Sequence, residues 1–208
     1  MRLVSFDMDG TLIRGTSAAE FMAARLGNLA QVQVLERQWL AGELQASQFA
    51  DAVAHTFTDM PLTDVVRHFE QLPLIGGIER TLERLRRRGI PCVIATVSYA
   101  FYARILCQRY GFDDHCGAVM HEAAGVLAGR MARYCHPRDK VSFVEGFAAA
   151  RGIAMRDVAH IGDSLSDLPL FAAVGQAVAL NATPEARAAA HHAIDTEDLA
   201  DVLDLLGL

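Results

Sequence analysis

Residues 3–13 read LVSFDMDGTLI, an apolar run that ends on two carboxylates, Asp7 and Asp9. The run from residue 2 to residue 7 predicts a short buried strand. Two like charges ~4 Å apart in a medium of effective dielectric constant near 20 repel each other by roughly 4 kcal/mol. This stretch therefore predicts that a bound cation offsets the repulsion at the end of the strand.

The composition indicates one α/β domain of moderate size, or a core with a small insert. The chain has 208 residues, of which 52% are hydrophobic, and its net charge is -6. An acidic chain is a poor partner for nucleic acid, so we expect none. No stretch approaches the roughly 20 apolar residues of a membrane span. The first residues also lack a leader pattern, so we expect a cytoplasmic protein with no membrane partner.

The pattern along the chain alternates between strands and helices, except in one block. After residue 74, short apolar runs are separated by helical segments, and a strand with a hairpin is predicted at 116–134. Residues 17–72 show helical periodicity throughout and no convincing strand. The alternation predicts a doubly wound parallel sheet covered by helices on both faces. We expect a core built from residues 1–13 and 74–208, with an inserted helical domain at 14–73.

Several polar side chains follow the predicted strands of this core. Asp7 ends the first strand, Thr96 ends the run PCVIAT, and Asp163 follows VAHIG. Ligands of doubly wound sheets bind at the carboxyl ends of the strands, so these groups should converge there. Lys140 and Asp167 come from neighbouring segments. Carboxylate oxygens suit Mg²⁺, and a hydroxyl with an ammonium suits a phosphate group.

Two alternative interpretations concern single motifs. An EF-hand loop starting at Asp7 would place Leu12 where glycine is required and Ala18 where glutamate is required, which excludes it. The segment GDSLSD, residues 162–167, taken alone equally fits a capped turn before a helix. Its position after a strand, in a chain that also carries DMDGT, favours the functional interpretation.

These motifs resemble those of haloacid dehalogenase superfamily phosphatases, in the phosphoserine-phosphatase-like branch. The resemblance covers essentially the whole chain: DMDGTL matches the first motif, Thr96 the second, Lys140 the third, and Asp163 with Asp167 the fourth. Ser98 is a second candidate for the hydroxyl of the second motif. The resemblance implies a Rossmann-like core with a small β-hairpin, and a helical cap formed by residues 14–73.

The resemblance also implies roles for the two acids of the first motif. Asp7 would attack phosphorus and form an aspartyl-phosphate. Asp9 would protonate the leaving oxygen and then deprotonate the attacking water. Mg²⁺ would be held by Asp7, the backbone carbonyl of Asp9, and Asp163.

The remaining motif residues would act on the phosphoryl group. Thr96 and Lys140 would bind its oxygens, and Asp167 would orient Lys140 or a metal-bound water. Lys140 is the only lysine among 19 basic residues. A compact ammonium fits a crowded site better than the planar fork of arginine does.

The substrate is less well defined by the sequence. Phosphoserine phosphatases carry a Glu where this chain has Thr16, and a cap Arg at a position that aligns with Asp51. We therefore expect a Mg²⁺-dependent phosphomonoesterase that acts on a small phosphorylated metabolite. Asp51 has two interpretations. It would suit a leaving group that is cationic or rich in hydroxyls, or it is simply a solvated helix residue. The alternatives are a phosphotransferase, a phosphoserine phosphatase proper, and a non-catalytic phosphate-binding module, which the filled motifs disfavour.

Four local features are also predicted from the sequence. Ser17 and Glu20 form a capping box at the start of a helix. Trp39 belongs to the core of the helical segment. The basic run RLRRRG, residues 84–89, is a solvated helix end, where cations favour the helix dipole. His160 is a core histidine with satisfied hydrogen bonds.

Overall fold

An eight-stranded sheet forms the centre of the computed structural model, which describes residues 1–208 apart from the side chains at positions 40 and 46. The strands are β1 (Leu3–Phe6), β2 (Met60–Pro61), β3 (Cys92–Tyr99), β4 (Asp114–Ala123), β5 (Val126–Arg133), β6 (Val158–Gly162), β7 (Gln176–Leu180) and β8 (His192–Ile194). Their order across the sheet is β2-β5-β4-β3-β1-β6-β7-β8. The neighbouring strands are parallel in the pairs β4–β3, β3–β1, β1–β6, β6–β7 and β7–β8. Strand β5 is antiparallel to both β4 and β2.

Helices cover the sheet and fill the segment between β1 and β3. They are α1 (Ala18–Leu26), α2 (Leu29–Leu40), α3 (Ala46–His55), α4 (Leu62–Phe69), α5 (Ile78–Arg87), α6 (Ala100–Tyr110), α7 (Pro137–Ala149), α8 (Leu168–Phe171), α9 (Pro184–Ala189) and α10 (Ala200–Leu205). The predicted α/β class with a mostly parallel sheet is confirmed. Among the described helices, none is both long and apolar enough to cross a lipid bilayer.

Strand β1 lies in the middle of the parallel part of the sheet. It pairs with β3, Val4 opposite Cys92, and with β6, Leu3 opposite Val158. All four of its side chains are buried, as expected for a strand with both faces covered. Val4 and Phe6 pack into one hydrophobic cluster, and Leu3 packs into the other on the opposite face. This position brings Asp7 to the centre of the carboxyl edge of the sheet.

The segment between β1 and β3 is mainly helical, as predicted. Its first helix begins with the predicted capping box, because Ser17 accepts from the Glu20 amide and Glu20 accepts from the Ser17 amide. The prediction that this segment has no strand is wrong, since β2 pairs antiparallel with β5. A two-residue strand that includes Pro61 at the sheet edge has too few residues to show an alternating pattern.

Aromatic side chains join this helical segment to the sheet. The Phe57 ring is 5.6 Å from the Tyr99 ring and 6.0 Å from the Phe101 ring, centroid to centroid. The prediction that Trp39 belongs to the core of the helical segment is wrong. Its side chain is stacked on Phe49 and the residue is 41% exposed.

Two further differences concern the lengths of strands. The pattern predicted that the second strand of the core ends at Thr96, whereas β3 continues to Tyr99 across an irregular register with β4. The C-terminal part also contains β8, for which the sequence pattern predicts no strand. A three-residue strand is too short to be recognised from its sequence, and β8 depends on pairing with β7.

We predict that Phe57→Ala destabilises the protein by about 3–5 kcal/mol, because it removes a buried aromatic ring and leaves a cavity. Trp39→Ala removes a larger but half-exposed ring, and it should cost clearly less. Urea unfolding followed by circular dichroism measures both changes. Equal costs for the two variants would contradict the packing described here.

Candidate active site

Three carboxylates meet at the carboxyl edge of the sheet. One oxygen each from Asp7, Asp163 and Asp167 lies within 4.8 Å of the others. Asp7 follows β1, and Asp163 follows β6. Glycine at position 10 leaves space for this cluster, because an added Cβ would collide with the Asp163 carboxylate. The φ of Gly10 is 82°, which is unfavourable for residues other than glycine.

Lys140 is fully buried beside these carboxylates. Its Nζ donates to Asp7 Oδ1 at 2.8 Å, to Asp167 Oδ1, and to Ser166 Oγ at 3.4 Å. Burial alone would lower the pKa of Lys140, but the charges of Asp7 and Asp167 outweigh this effect and raise it. The side chain therefore carries a positive charge in the centre of the site.

Asp167 is also fully buried, and its two oxygens are already in use. Oδ2 accepts from the backbone amides of Asp163 at 3.0 Å and Ser164 at 3.2 Å, while Oδ1 accepts from Lys140 and His160. Burial acts to raise the pKa of Asp167, but Lys140 and His160 outweigh it and lower the pKa. Asp167 is thus an ionised residue that holds Lys140 in place.

His160 connects Asp167 to the first strand. Its Nε2 lies 2.9 Å from Asp167 Oδ1, and its Nδ1 lies 3.2 Å from Ser5 Oγ. Burial lowers the pKa of His160, so the ring is neutral at pH 7. A neutral ring that donates from Nε2 to Asp167 accepts at Nδ1 from the Ser5 hydroxyl. The prediction of a core histidine with satisfied hydrogen bonds is confirmed.

The pKa values of Asp7 and Asp163 are raised, in contrast to the lowered pKa of Asp167. Burial raises the pKa of Asp7, and neighbouring carboxylates raise it further against the effect of Lys140. Burial and the charge of Asp167 raise the pKa of Asp163 to about 7. A single ammonium does not balance three carboxylates, so the cluster fits a hard divalent cation bound by Asp7 and Asp163.

Asp9 lies at the junction of the sheet and the helical segment. The residue is half-buried, and its Oδ1 accepts from the Ala18 amide, in the first turn of α1, at 2.7 Å. The Ser98 side chain lies near this carboxylate and acts to lower its pKa, as the Ala18 amide does. Burial nevertheless raises the pKa of Asp9, which suits a group that carries a proton for part of a reaction.

The two candidate hydroxyls of the second motif have different surroundings. Thr96 is 1% exposed, and its Oγ1 accepts from the Ser98 amide at 3.1 Å. Ser98 is half-buried and contacts the Asp9 carboxylate. The Ser98 hydroxyl therefore lies beside Asp9, one of the two acids of the first motif, whereas the Thr96 hydroxyl is engaged by a backbone amide.

The positions that were aligned with substrate-binding residues make other contacts. Asp51 is exposed on α3, and its Oδ2 accepts from the Tyr134 hydroxyl at 2.7 Å. The Thr16 hydroxyl donates to the backbone carbonyl of Ser17 at 3.2 Å. These hydrogen bonds fit the interpretation of Asp51 as a surface residue of the helical segment.

Two residues at the site were not identified from the sequence. Ser166 accepts from Lys140 at 3.4 Å, and the Thr11 hydroxyl donates to Asp163 Oδ1 at 3.5 Å. Thr11 and Ser166 lie inside the motifs DMDGT and GDSLSD, which is the signal that could have identified them. Arg14 follows the first motif, and its Nη1 donates to the Gly10 carbonyl at 2.6 Å.

Comparison with known proteins places this chain among related enzymes. Residues 4–172 match the family model of haloacid dehalogenase-like hydrolases. The chain is 29% identical over 208 residues to phosphoserine phosphatase SerB2 of Mycobacterium tuberculosis, and it covers 51% of that protein. It is 25% identical over 205 residues to the phosphoserine phosphatase of Methanocaldococcus jannaschii and covers 96% of it. The chain thus spans about half the length of the first relative and nearly all of the second.

Solved structures share the same fold. A phosphoserine phosphatase with a phospho-aspartyl intermediate analogue superimposes with a TM-score of 0.84 and 22% identity, over 98% of each chain. A haloacid dehalogenase family hydrolase from Salmonella enterica serovar Typhi gives a TM-score of 0.89 at 22% identity, over 97% of this chain and 70% of its own.

We predict that Mg²⁺ stabilises the folded protein through Asp163. At ten times the Kd, a bound ligand adds about 1.4 kcal/mol to the free energy of unfolding. Asp163→Asn should lose this increment. Because the raised pKa of Asp163 means that its charge disfavours the folded state above pH 7, the metal-free variant should be at least as stable as the metal-free wild type at pH 8.

Urea titrations with and without Mg²⁺ test this prediction, with Glu145→Gln as the control. Glu145 is an exposed acid on α7, and its neutralisation should leave the Mg²⁺ effect intact. Retention of the full Mg²⁺ increment by Asp163→Asn would contradict the assignment of Asp163 as a ligand.

Proposed function

Because the chain belongs to the haloacid dehalogenase-like hydrolase family, we propose that it is a Mg²⁺-dependent phosphomonoesterase that acts on a small phosphorylated metabolite. The family and its phosphoserine-phosphatase-like branch, predicted from the motifs, are confirmed by the matched relatives. The observation that carries the proposal is the buried contact between Lys140 and Asp7 at the centre of the carboxyl edge. It fixes a carboxylate beside a cation where phosphate can approach.

Asp7 is the nucleophile of the proposed reaction. Lys140 holds its Oδ1, and among the described residues no hydrogen bond is made to its Oδ2, which can attack. Attack on phosphorus forms an aspartyl-phosphate and breaks the bond from phosphorus to the ester oxygen. The electron pair of that bond stays with the leaving oxygen. Lys140 also stabilises the negative charge of the transferring phosphoryl group.

Asp9 moves the proton in both steps. In its protonated form it donates to the leaving oxygen, which releases the alcohol. The resulting carboxylate then takes a proton from water, and the water attacks the aspartyl-phosphate to give inorganic phosphate and free Asp7. The raised pKa of Asp9 increases the protonated fraction that the first step needs.

The proposed metal ligands are Asp7, Asp163 and the backbone carbonyl of Asp9. Mg²⁺ is typical of this family, and when bound it would offset the repulsion between an anionic phosphate and a carboxylate nucleophile. Asp167 is a poor candidate ligand, because both of its oxygens already accept hydrogen bonds. Its proposed role is to position Lys140.

The proposed domain organisation follows from the same contacts. Residues 1–13 and 74–208 form the catalytic core, and residues 14–73 form a helical cap. The hydrogen bond from the Ala18 amide to Asp9 supports this proposal, because it places the start of the cap helices beside the proton donor. A cap in this position limits which leaving groups can reach Asp9.

The substrate has two candidates of different chemistry. Phosphoserine is favoured by the names of the matched relatives. A phosphate ester whose leaving group lacks a carboxylate is favoured by Thr16 and Asp51, which stand where those enzymes are expected to carry Glu and Arg. We favour the second candidate.

Phosphate release from a panel of phosphometabolites, including phosphoserine, tests the proposal. The wild type should need Mg²⁺, and Asp7→Asn should lose activity, whereas the surface variant Glu145→Gln should keep it. Equal activity of wild type and Asp7→Asn would exclude Asp7 as the nucleophile. Product analysis with added alcohols distinguishes hydrolysis from phosphotransfer, since transfer would yield a new ester instead of free phosphate.

We predict that Ser98→Ala lowers kcat/KM by about 10²-fold, the usual effect of removing one hydrogen-bond donor to a transition-state oxyanion. Thr96→Val keeps the shape of the buried side chain and should lower kcat/KM by less than about tenfold, because that hydroxyl packs against the Ser98 amide. Steady-state kinetics on the best substrate of the panel measures both. The reverse order would identify Thr96 as the phosphate ligand.

A further inference from the structure

A second cavity lies at the amino edge of the sheet, opposite the carboxylate cluster. It has a volume of about 610 Å³ and opens where β1 and β3 begin. Four arginines line it: Arg2, Arg86, Arg88 and Arg151. They come from the start of β1, the end of α5 and the turn after α7, so three separate parts of the chain bring positive charge to one place.

Among the described residues, none of these four arginines forms an ion pair with an acidic side chain, although two neighbouring arginines do. On the same helix α5, Arg84 Nη1 lies 2.6 Å from Asp204 Oδ1, and Arg87 pairs with Glu83. The cavity is lined by a single carboxylate, that of Asp113. One of its oxygens accepts from the Cys92 amide at 2.8 Å, so it is partly satisfied by the backbone.

Two of the guanidinium groups are held in position by the protein itself. Arg2 Nη1 donates to the Gly152 carbonyl at 3.1 Å. Arg151 Nη1 donates to the Phe147 carbonyl at 3.3 Å, and its guanidinium lies 3.5 Å above the Phe147 ring. Side chains held in this way lose less conformational entropy when they bind a ligand.

The helix dipole explains only part of this arrangement. Arg86 and Arg88 lie at the C-terminal end of α5, where a cation is favourable whether or not a ligand binds. Arg2 and Arg151 lie at the start of a strand and after another helix, and this effect does not account for them. Four cations that line one cavity repel one another. The chain has a net charge of -6, so acidic residues that could neutralise these cations are abundant in it.

We infer that this cavity binds a small polyanion at the edge of the sheet opposite Asp7. Guanidinium groups make paired hydrogen bonds to phosphate and carboxylate oxygens, and several of them converge on one space here. The volume lies within the range of small-molecule sites, roughly 300–1,000 Å³. This anion site does not depend on the proposed catalysis, and each of the two proposals can fail without the other.

Isothermal titration with tripolyphosphate in metal-free buffer tests the inference. Without a metal, the carboxylate cluster at the other edge repels this probe, so binding there does not interfere. The test variant is Arg86→Gln/Arg88→Gln. The matched control is Arg84→Gln/Arg87→Gln, which removes the same charge from the same helix at residues that are already paired.

The wild type should bind one equivalent of tripolyphosphate. The test variant should bind at least about tenfold more weakly, because it removes two guanidinium groups that make charge-assisted hydrogen bonds to the anion. The control should change the affinity by less than about twofold. Parallel titrations with citrate show whether carboxylates serve as well as phosphates. Failure of the wild type to bind either probe, or an equal loss in both variants, would overturn the inference.

Discussion

The buried contacts of Lys140 are the constraint on which the carboxyl edge of the sheet depends. One ammonium joins the end of β1, through Asp7, to the segment after β6, through Asp167, and it is itself carried by α7. Removing one partner from such a buried set leaves an uncompensated charge, which is strongly destabilising. Asp167 and His160 extend the network back to Ser5 in the central strand. Asp7, the proposed nucleophile, is therefore held by the folded core rather than by a surface loop.

The same network explains why the site is suited to phosphate chemistry. It contains one cation for three carboxylates, and the two that are less deeply buried than Asp167, namely Asp7 and Asp163, have raised pKa values. This excess of negative charge makes the site suited to a divalent cation. Lys140, His160 and two backbone amides together satisfy Asp167, so the uncompensated negative charge lies on the two residues that are proposed to hold the metal.

The sequence was most informative where chemistry and periodicity agree. The apolar run that ends on Asp7 and the strand VAHIG before Asp163 predicted both the sheet and the place where the acids meet. It was least informative where structure depends on distant pairing. Strand β2 exists because Met60 and Pro61 reach β5, and no local pattern encodes that contact. Trp39 was misplaced for a related reason, because an apolar side chain on an amphipathic helix can stack on its neighbour without entering the core.

The choice between Thr96 and Ser98 shows the limit of sequence reasoning at single-residue resolution. Both are hydroxyl residues near the end of the same strand, and side chains two apart on a strand point to the same face. Their difference is created by packing: Thr96 lies below the surface, and Ser98 lies beside Asp9. Asp9 in turn accepts a hydrogen bond from the first turn of α1. The protonation of the proposed acid therefore depends on the helical segment as well as on the core, because burial raises the pKa of Asp9 and the Ala18 amide of that segment acts to lower it.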